Sequence, residues 1–268
     1  MKSSILSPKS SYQGKPGLRR LVICAKALFV LAFWLALWQL AALKVHNALL
    51  VPTPGAVGAR LYELALSADF WRIIGESLAR IMAGFALGVI SGLVMAVVTS
   101  ASRGASLLFS PALKAVLSTP VASFIILLII WFNPSLVPML VALLVVLPVV
   151  WRHVGGGIAA LDEQMLEMAC VFHIPRARCL RRLYVPALIP HFLSACSVAL
   201  GLAWKSAVAA EVISYSRFSI GGELKAGQTY LQTADVFVWT IVVIILSLLI
   251  EKLLTKVFRQ FNRVYDAQ

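Results

Sequence analysis

Charge is what this chain has least of. Only 13% of its 268 residues are Asp, Glu, Lys or Arg, against about 25% in an ordinary soluble domain. Hydrophobic residues make up 60%. A compact core cannot hide that much apolar surface from water, so a bilayer is the solvent the composition fits. Acids are scarcer than bases, 11 against 24, and the net charge is +13. The bases cluster at the ends of apolar runs, which excludes a nucleic-acid footprint. Four cysteines (Cys24, Cys170, Cys179, Cys196) show no paired spacing, so neither a disulfide framework nor a zinc site is supported. The four histidines are scattered without metal-ligand spacing. No G-x4-G-K-[S/T] loop occurs, so the chain does not bind ATP by that route. The acids lie almost all in loops or at the ends of apolar runs. An intramembrane enzyme needs catalytic groups that converge, and here they do not. Nor is there an internal repeat of the kind secondary carriers often show.

What is there is a series of apolar runs. The pattern predicts an all-α, polytopic membrane bundle of about six spans, one domain over 21–258. Residues 1–20 form a basic tail with no apolar period, expected to be disordered, and 259–268 a second tail. The first apolar run is long and lacks a small-residue cleavage site, so it reads as a retained span over 21–43. Lys26 and Lys44 bracket 17 uncharged residues there, and Trp34 and Trp38 share a face. Residues 45–77 open on a Pro-rich turn and continue with mixed charge, which predicts a short amphipathic helix on the membrane surface. The second span covers 78–99, with Arg80 reaching the headgroups at its outer end. Gly84, Gly88 and Gly92 repeat every four residues there and make a smooth stripe for another helix.

From Ala115 to Trp151 no charge occurs over 37 positions. That is too long for one span, so Asn133-Pro134 and Pro138 divide it into 107–131 and 136–154, joined by a tight hairpin. Pro120 and Pro148 are expected to kink these spans. After a loop at 155–185 a fifth span runs over 186–210. An exposed polar loop with a partial helix follows over 211–234, and a last span over 235–254. Most of the 24 bases fall in 1–26, 100–116, 152–182 and the C-terminal end. The positive-inside rule therefore puts both termini and the 155–185 loop in the cytoplasm.

That loop carries Asp162, Glu163 and Glu167, then Arg176, Arg178, Arg181 and Arg182, then Pro186 and Pro190. Acids first and arginines last suit a helix dipole, and a solvated amphipathic helix is one reading. Leu161, Met165, Met168, Ala169 and Phe172 make one apolar face, and Pro175 breaks the chain. A short helix, a turn and a second helix across the base of a bundle would make a rigid knob that seats in a soluble partner.

Glu167-Met168-Ala169, then His173, then Leu183-Tyr184-Val185-Pro186 resembles the E-A-A-x3-G-x9-I-x-L-P motif of bacterial ABC importer permeases, with the spacing kept throughout. VPTPGAV, ESLARIMAGFALGVISGL, STPVASFIILLIIWF and LGLAWKSAVAAEVI extend the resemblance over about 50–260, to the branch that imports nitrate, sulfonates, taurine and similar solutes. The resemblance implies a coupling helix that docks on an ATP-binding subunit through Glu167, Met168, Ala169, Phe172, His173 and Pro186. It implies ATP held only by that separate subunit, an extracytoplasmic solute-binding protein, a second permease copy, and the inner membrane of a bacterium. Met168 replaces the family's first Ala, and His173 its usual Gly. A turn role fits His173 better than catalysis or metal binding, because it has no partner cluster.

The fifth span is the expected lining of the path. Trp204, Lys205, Ser206 and Glu211 place polar groups toward its outer half. Ionisable residues inside membranes usually face a cavity or the bundle interior. Lys205 would attract an anion, or else snorkel outward or pair with Glu211. The same branch includes importers of cationic or neutral vitamin precursors, so Lys205 does not settle the solute.

Overall fold

The computed structural model describes residues 16–47 and 49–265, and every regular element among them is helical. Residues 1–15 of the expected basic tail lie outside the described residues. Helix α1 (Pro16–Val45) begins within the rest of that tail. From Leu28 on its side chains are mostly exposed. Trp38 differs: its Nε1 donates to the Pro52 carbonyl at 3.1 Å, and its ring stacks on Phe237 at 5.4 Å. Trp34, one turn earlier, stays exposed, so the two tryptophans divide between surface and packing.

Helix α2 (Pro54–Ala65) starts on Thr53, whose Oγ1 accepts from the Ala56 N–H, with Pro54 in the first turn where its missing N–H costs nothing. Helix α3 (Ala68–Ala101) is capped by Ser67, whose Oγ accepts from the Phe70 N–H at 3.2 Å. It starts ten residues before the expected Leu78. Phe70, Ile73, Ile74 and Ser77 are all buried at helical spacing, so the mixed-charge stretch has one inward face and prolongs the span.

The expected span over 107–131 is broken in two. Helices α4 (Arg103–Ser118) and α5 (Val121–Trp131) meet at an angle of 105°. Pro120 has no N–H to continue the ladder and forces Thr119 out of the helical region, at ψ 133°. Helix α6 (Val137–Ala159) carries Pro138 in its first turn and a fully buried Pro148 further in.

Next come α7 (Glu163–Val171), α8 (Arg176–Cys179), a π turn (Leu180–Tyr184) and α9 (Val185–Ser214). The expected start of a span at Pro186 is not a start. One apolar helical stretch runs unbroken over Ala177–Ser214. The Val185 N–H reaches back to the Leu180 carbonyl, and this wider turn passes the ladder into the segment where Pro186 and Pro190 supply no donor. Helices α10 (Ile220–Thr229) and α11 (Thr233–Tyr265) complete the chain. Among the described residues five helices are long and apolar enough to cross a membrane, six if the bent α4–α5 pair counts as one span.

Helix α6 lies between α3 and α9, and these three build the centre. Ile81, Ala142, Val146, Val150, Ala199, Ala203 and Ala207 are fully buried in one cluster. The glycine stripe of α3 faces α6. A Cβ on Gly88 would stand 2.6 Å from the Val146 Cβ, one on Gly92 2.6 Å from the Leu147 carbonyl, and one on Gly84 would meet the Met139 carbonyl. Small residues let these backbones approach where larger ones would not.

Candidate functional site

Three features along α9 carry the residues singled out in the sequence. The first is the knob formed by α7, its turn and α8. Asp162 caps α7, its Oδ1 accepting from the Gln164 N–H at 2.9 Å. The helix ends in a paired turn: the His173 N–H donates to the Cys170 carbonyl and the Ile174 N–H to the Ala169 carbonyl, both at 3.0 Å. This is the arrangement that needs a left-handed residue just past the helix, and His173 supplies it at φ 49°. Its Nδ1 lies 3.0 Å from the Val171 carbonyl. The apolar face expected of Leu161, Met165, Met168, Ala169 and Phe172 divides. Ala169 is buried, and with Leu166 it lines a cavity shared with His173, Cys179, Leu180 and Tyr184. Met165 (51% exposed), Met168 (50%) and Phe172 (72%) do not line it, and Glu167 is also exposed. Pro186 lies beyond the π turn, half-buried, in the helix that continues into the span.

The second feature is α9, which has two faces of different character. Trp204, Ala207, Val208 and Glu211 follow one another at helical spacing and are buried. Lys205 lies on the other face, exposed along with Gly201, Leu202 and Ala209, and Ser206 is half-buried between them. Lys205 and Glu211 are therefore not brought together. The exposed face borders a cavity of about 430 Å³ whose far wall is α11, through Ser247, Ile250, Glu251, Leu254 and Thr255. Glu251 went unread in the sequence because Glu251-Lys252 looks like the ordinary polar end of a span.

The third feature corrects the exposed loop expected over 211–234. Ser214, Ser216, Ser219, Ile220, Gly221 and Gly222 are buried, and α10 packs on α9 and α11. The first N–H groups of α10 are satisfied from three elements. Ile220 donates to Ser77 Oγ of α3 at 2.9 Å, Gly221 to Glu211 Oε2 of α9 at 3.0 Å, and Gly222 to its own cap Ser219 Oγ at 2.9 Å. The Glu211 oxygen thus takes one of the N–H groups that a helix start leaves without an internal partner. Arg80, expected among headgroups, instead holds the carbonyls of Arg217 and Phe218 in the turn before α10. Gly221 lies against the Glu211 side chain and Gly222 against the Ser216 carbonyl, where no Cβ fits. Beside this turn Asp235 takes Arg60 through Nε at 2.6 Å and Nη2 at 3.0 Å, and this pair, then Glu63, raises the guanidinium pKa. Burial, and then the charge of Asp235, raises the Glu223 carboxyl.

Among the described residues no three His, Cys, Asp or Glu side chains gather as a metal site. What the features do share is α9, which joins the knob at one end to the clamped turn at the other.

Residues 84–262 match the family described as "Binding-protein-dependent transport system inner membrane component". The chain is 29% identical over 231 residues to the putative aliphatic sulfonates transport permease protein SsuC of Bacillus subtilis (strain 168), covering 85% of this chain and 83% of that one. It is 24% identical over 221 residues to the taurine transport system permease protein TauC of Escherichia coli (strain K12), covering 80% of each. It is also 25% identical over 238 residues to the riboflavin transport system permease protein RibX of Chloroflexus aurantiacus (strain ATCC 29366 / DSM 635 / J-10-fl), covering 85% and 87%. Among solved structures it resembles an inward-facing conformation of the MetNI methionine ABC transporter. The TM-score is 0.60 at 13% identity, over 70% of this chain and 93% of that one, which speaks to the fold. In systems of this family ATP is hydrolysed by a separate subunit, and the permeases associate with ATPase subunits and binding proteins. With two thirds of its length inside the family match and the helical fold to go with it, the chain belongs to the binding-protein-dependent transport system inner membrane components: it is a multi-pass inner-membrane permease of an ABC transporter and not an enzyme.

Proposed function

We propose that this permease imports a small anionic solute, a sulfonate such as taurine or an alkanesulfonate, or nitrate, through a path between two copies of the chain. The observation that carries this reading is the exposed Lys205, nine residues before the end of α9 at Ser214. At 1.5 Å per residue that is about 13 Å along the helix from its outer end. A cation at that depth is costly against lipid, and a water-filled path meets the cost. The sulfonate and taurine relatives agree with a positive group there, at low identity. Trp204 borders the same cavity, Ser206 stands beside it, and Glu211 supports α9 from behind.

The charge distribution favours both termini and the α7–α8 knob in the cytoplasm. There Met165, Met168 and Phe172 offer apolar contacts and Glu167 a charge to the ATP-binding subunit, with His173 shaping the turn and Ala169 and Pro186 fixing the knob to α9. The binding protein delivers solute at the outer face, and two ATPase subunits close on ATP and draw the knobs together. The path then passes from inward-open to outward-open, and hydrolysis resets it. Reconstitution with the ATPase subunit and binding protein tests this. Wild type should co-purify with the ATPase, stimulate vanadate-sensitive hydrolysis and take up labelled sulfonate. Glu167→Arg should lose all three while the permease itself remains monodisperse. A well-folded wild type that binds no ATPase would sink the coupling reading.

A vitamin or vitamin precursor is the second reading, favoured by the riboflavin relative. Uptake of such a compound without uptake of any sulfonate or nitrate would select it.

A further inference from the structure

The leg between the knob and the membrane carries a cationic face without a partner. Arg178, Arg181 and Arg182 stand at i, i+3 and i+4 across α8 and the π turn, a spacing that gathers side chains on one side of a helix. All three are exposed, and none is ion-paired among the described residues. Like charges at this spacing repel one another, so the face is built to meet negative charge. Its depth narrows what brings that charge. The helical stretch Ala177–Ser214 has 38 residues, which is about 57 Å at the helical rise. A bilayer with its headgroups is about 40–45 Å thick. With the Ser214 end at one set of headgroups, the arginines stand at the edge of the other. One turn further on the exposed residues become apolar, Val185 at 41% and then Ala187 and Pro190. Cations first and hydrocarbon next, along one helix, is the profile of a membrane interface.

An acidic protein surface answers the charge but not the apolar turn beside it. A phospholipid with a net negative headgroup answers both, with its phosphate on the arginines and its chains along the turn beyond. We propose that Arg178, Arg181 and Arg182 bind the phosphate of an anionic phospholipid, of the phosphatidylglycerol kind, in the leaflet on the knob's side. Guanidinium groups suit this task, because they meet phosphate oxygens through two parallel hydrogen bonds. Arg178 and Arg182 also border a cavity of about 130 Å³ together with Met165 and Met168 of α7. The lipid is therefore held where knob and leg meet, and it fixes the height of the knob above the membrane. The inference concerns the lipid alone and stands whether or not the solute reading does.

The test counts the lipids retained by the purified full-length permease in neutral detergent, by native mass spectrometry. Phosphatidylglycerol and phosphatidylcholine with the same chains are offered in equal amounts. We expect the wild type to prefer phosphatidylglycerol at least fivefold, since one base near an anionic surface is worth about fivefold in binding. Arg178→Gln, Arg181→Gln and Arg182→Gln together should lower that ratio at least threefold. Each substitution alone should lower it in part, so the result does not depend on how well the triple variant folds. Arg103→Gln, Lys114→Gln and Arg152→Gln together remove the same charge from exposed bases elsewhere and should leave the ratio unchanged. The headgroup without chains, glycerophosphoglycerol in tenfold excess, should displace no lipid. No preference in the wild type would overturn the site, and so would an equal loss in both triple variants, because net charge alone then explains retention. Displacement by the free headgroup would make this a site for soluble phosphate and would also overturn the lipid. So would a leg variant that keeps the preference and loses co-purification with the ATPase subunit, which would assign the arginines to that interface.

Discussion

His173 occupies a position where the backbone favours glycine. Its φ of 49° closes the paired turn after α7, and a side chain in the left-handed region costs about 1 kcal/mol against glycine. The contact of its Nδ1 with the Val171 carbonyl offsets part of that. His173→Gly should therefore raise the thermal midpoint of the purified complex, by an amount equivalent to roughly 0.5–1 kcal/mol. His173→Val, branched at Cβ, should lower it by more. If the two substitutions move the midpoint alike, the turn is not limited by its backbone. This residue was legible in advance, because the motif spacing put it at the turn and its type is among those that tolerate positive φ. Tyr215, Phe218 and Leu231 also have positive φ, and nothing in their local sequence announced it. Their turns are set by how α10 packs, which is information from far along the chain.

At the scale of the element, period was readable and partnership was not. The four-residue spacing of Gly84, Gly88 and Gly92 defines a face on any helix, but only the fold shows that α6 lies against it. Gly75 sits on the same helix with nothing within 4 Å of where its Cβ would be. The two positions should respond oppositely to one change. Gly75→Ala should stabilise by about 0.5–1 kcal/mol through helix propensity alone. Gly88→Ala should destabilise by about 1–3 kcal/mol, because the new Cβ meets Val146 in a packed interior. Denaturation of the two variants in the same detergent checks this, and a stabilising Gly88→Ala would mean the α3–α6 contact is looser than it looks. A partial helix was expected where α10 lies, but its burial was misread for a related reason. Ser, Gly and Glu in a row look solvated, and their burial depends on Ser77, Glu211 and Ser219 meeting from three elements. Pro120 was read as a kink. The size of the bend at 105° follows from α5 packing on α6 and α9, which no local signal contains.

For the whole molecule, the consequential fact is that one helical stretch, Ala177–Ser214, joins the knob to the clamped turn before α10. Motion imposed on α7 enters a rod whose far end is held by Arg80 and Glu211, so displacement at one face has a direct route to the other. That route has meaning only if the two ends face opposite sides of the membrane, with the knob inside. The placement rests so far on the crowding of bases into the knob and tails, since apolar length alone gives spans without direction. Cys170 offers the check, because it is exposed on α7 while Cys196 is buried within α9. In a chain keeping Cys170 as its single cysteine, a membrane-impermeant maleimide should label inside-out vesicles and leave intact spheroplasts unlabelled until they are permeabilised. Labelling of intact spheroplasts would invert the whole arrangement. The clamped turn would then face the ATPase, Lys205 would lie nearer the cytoplasmic mouth, and the α7 knob would be left without a nucleotide-driven partner to move it.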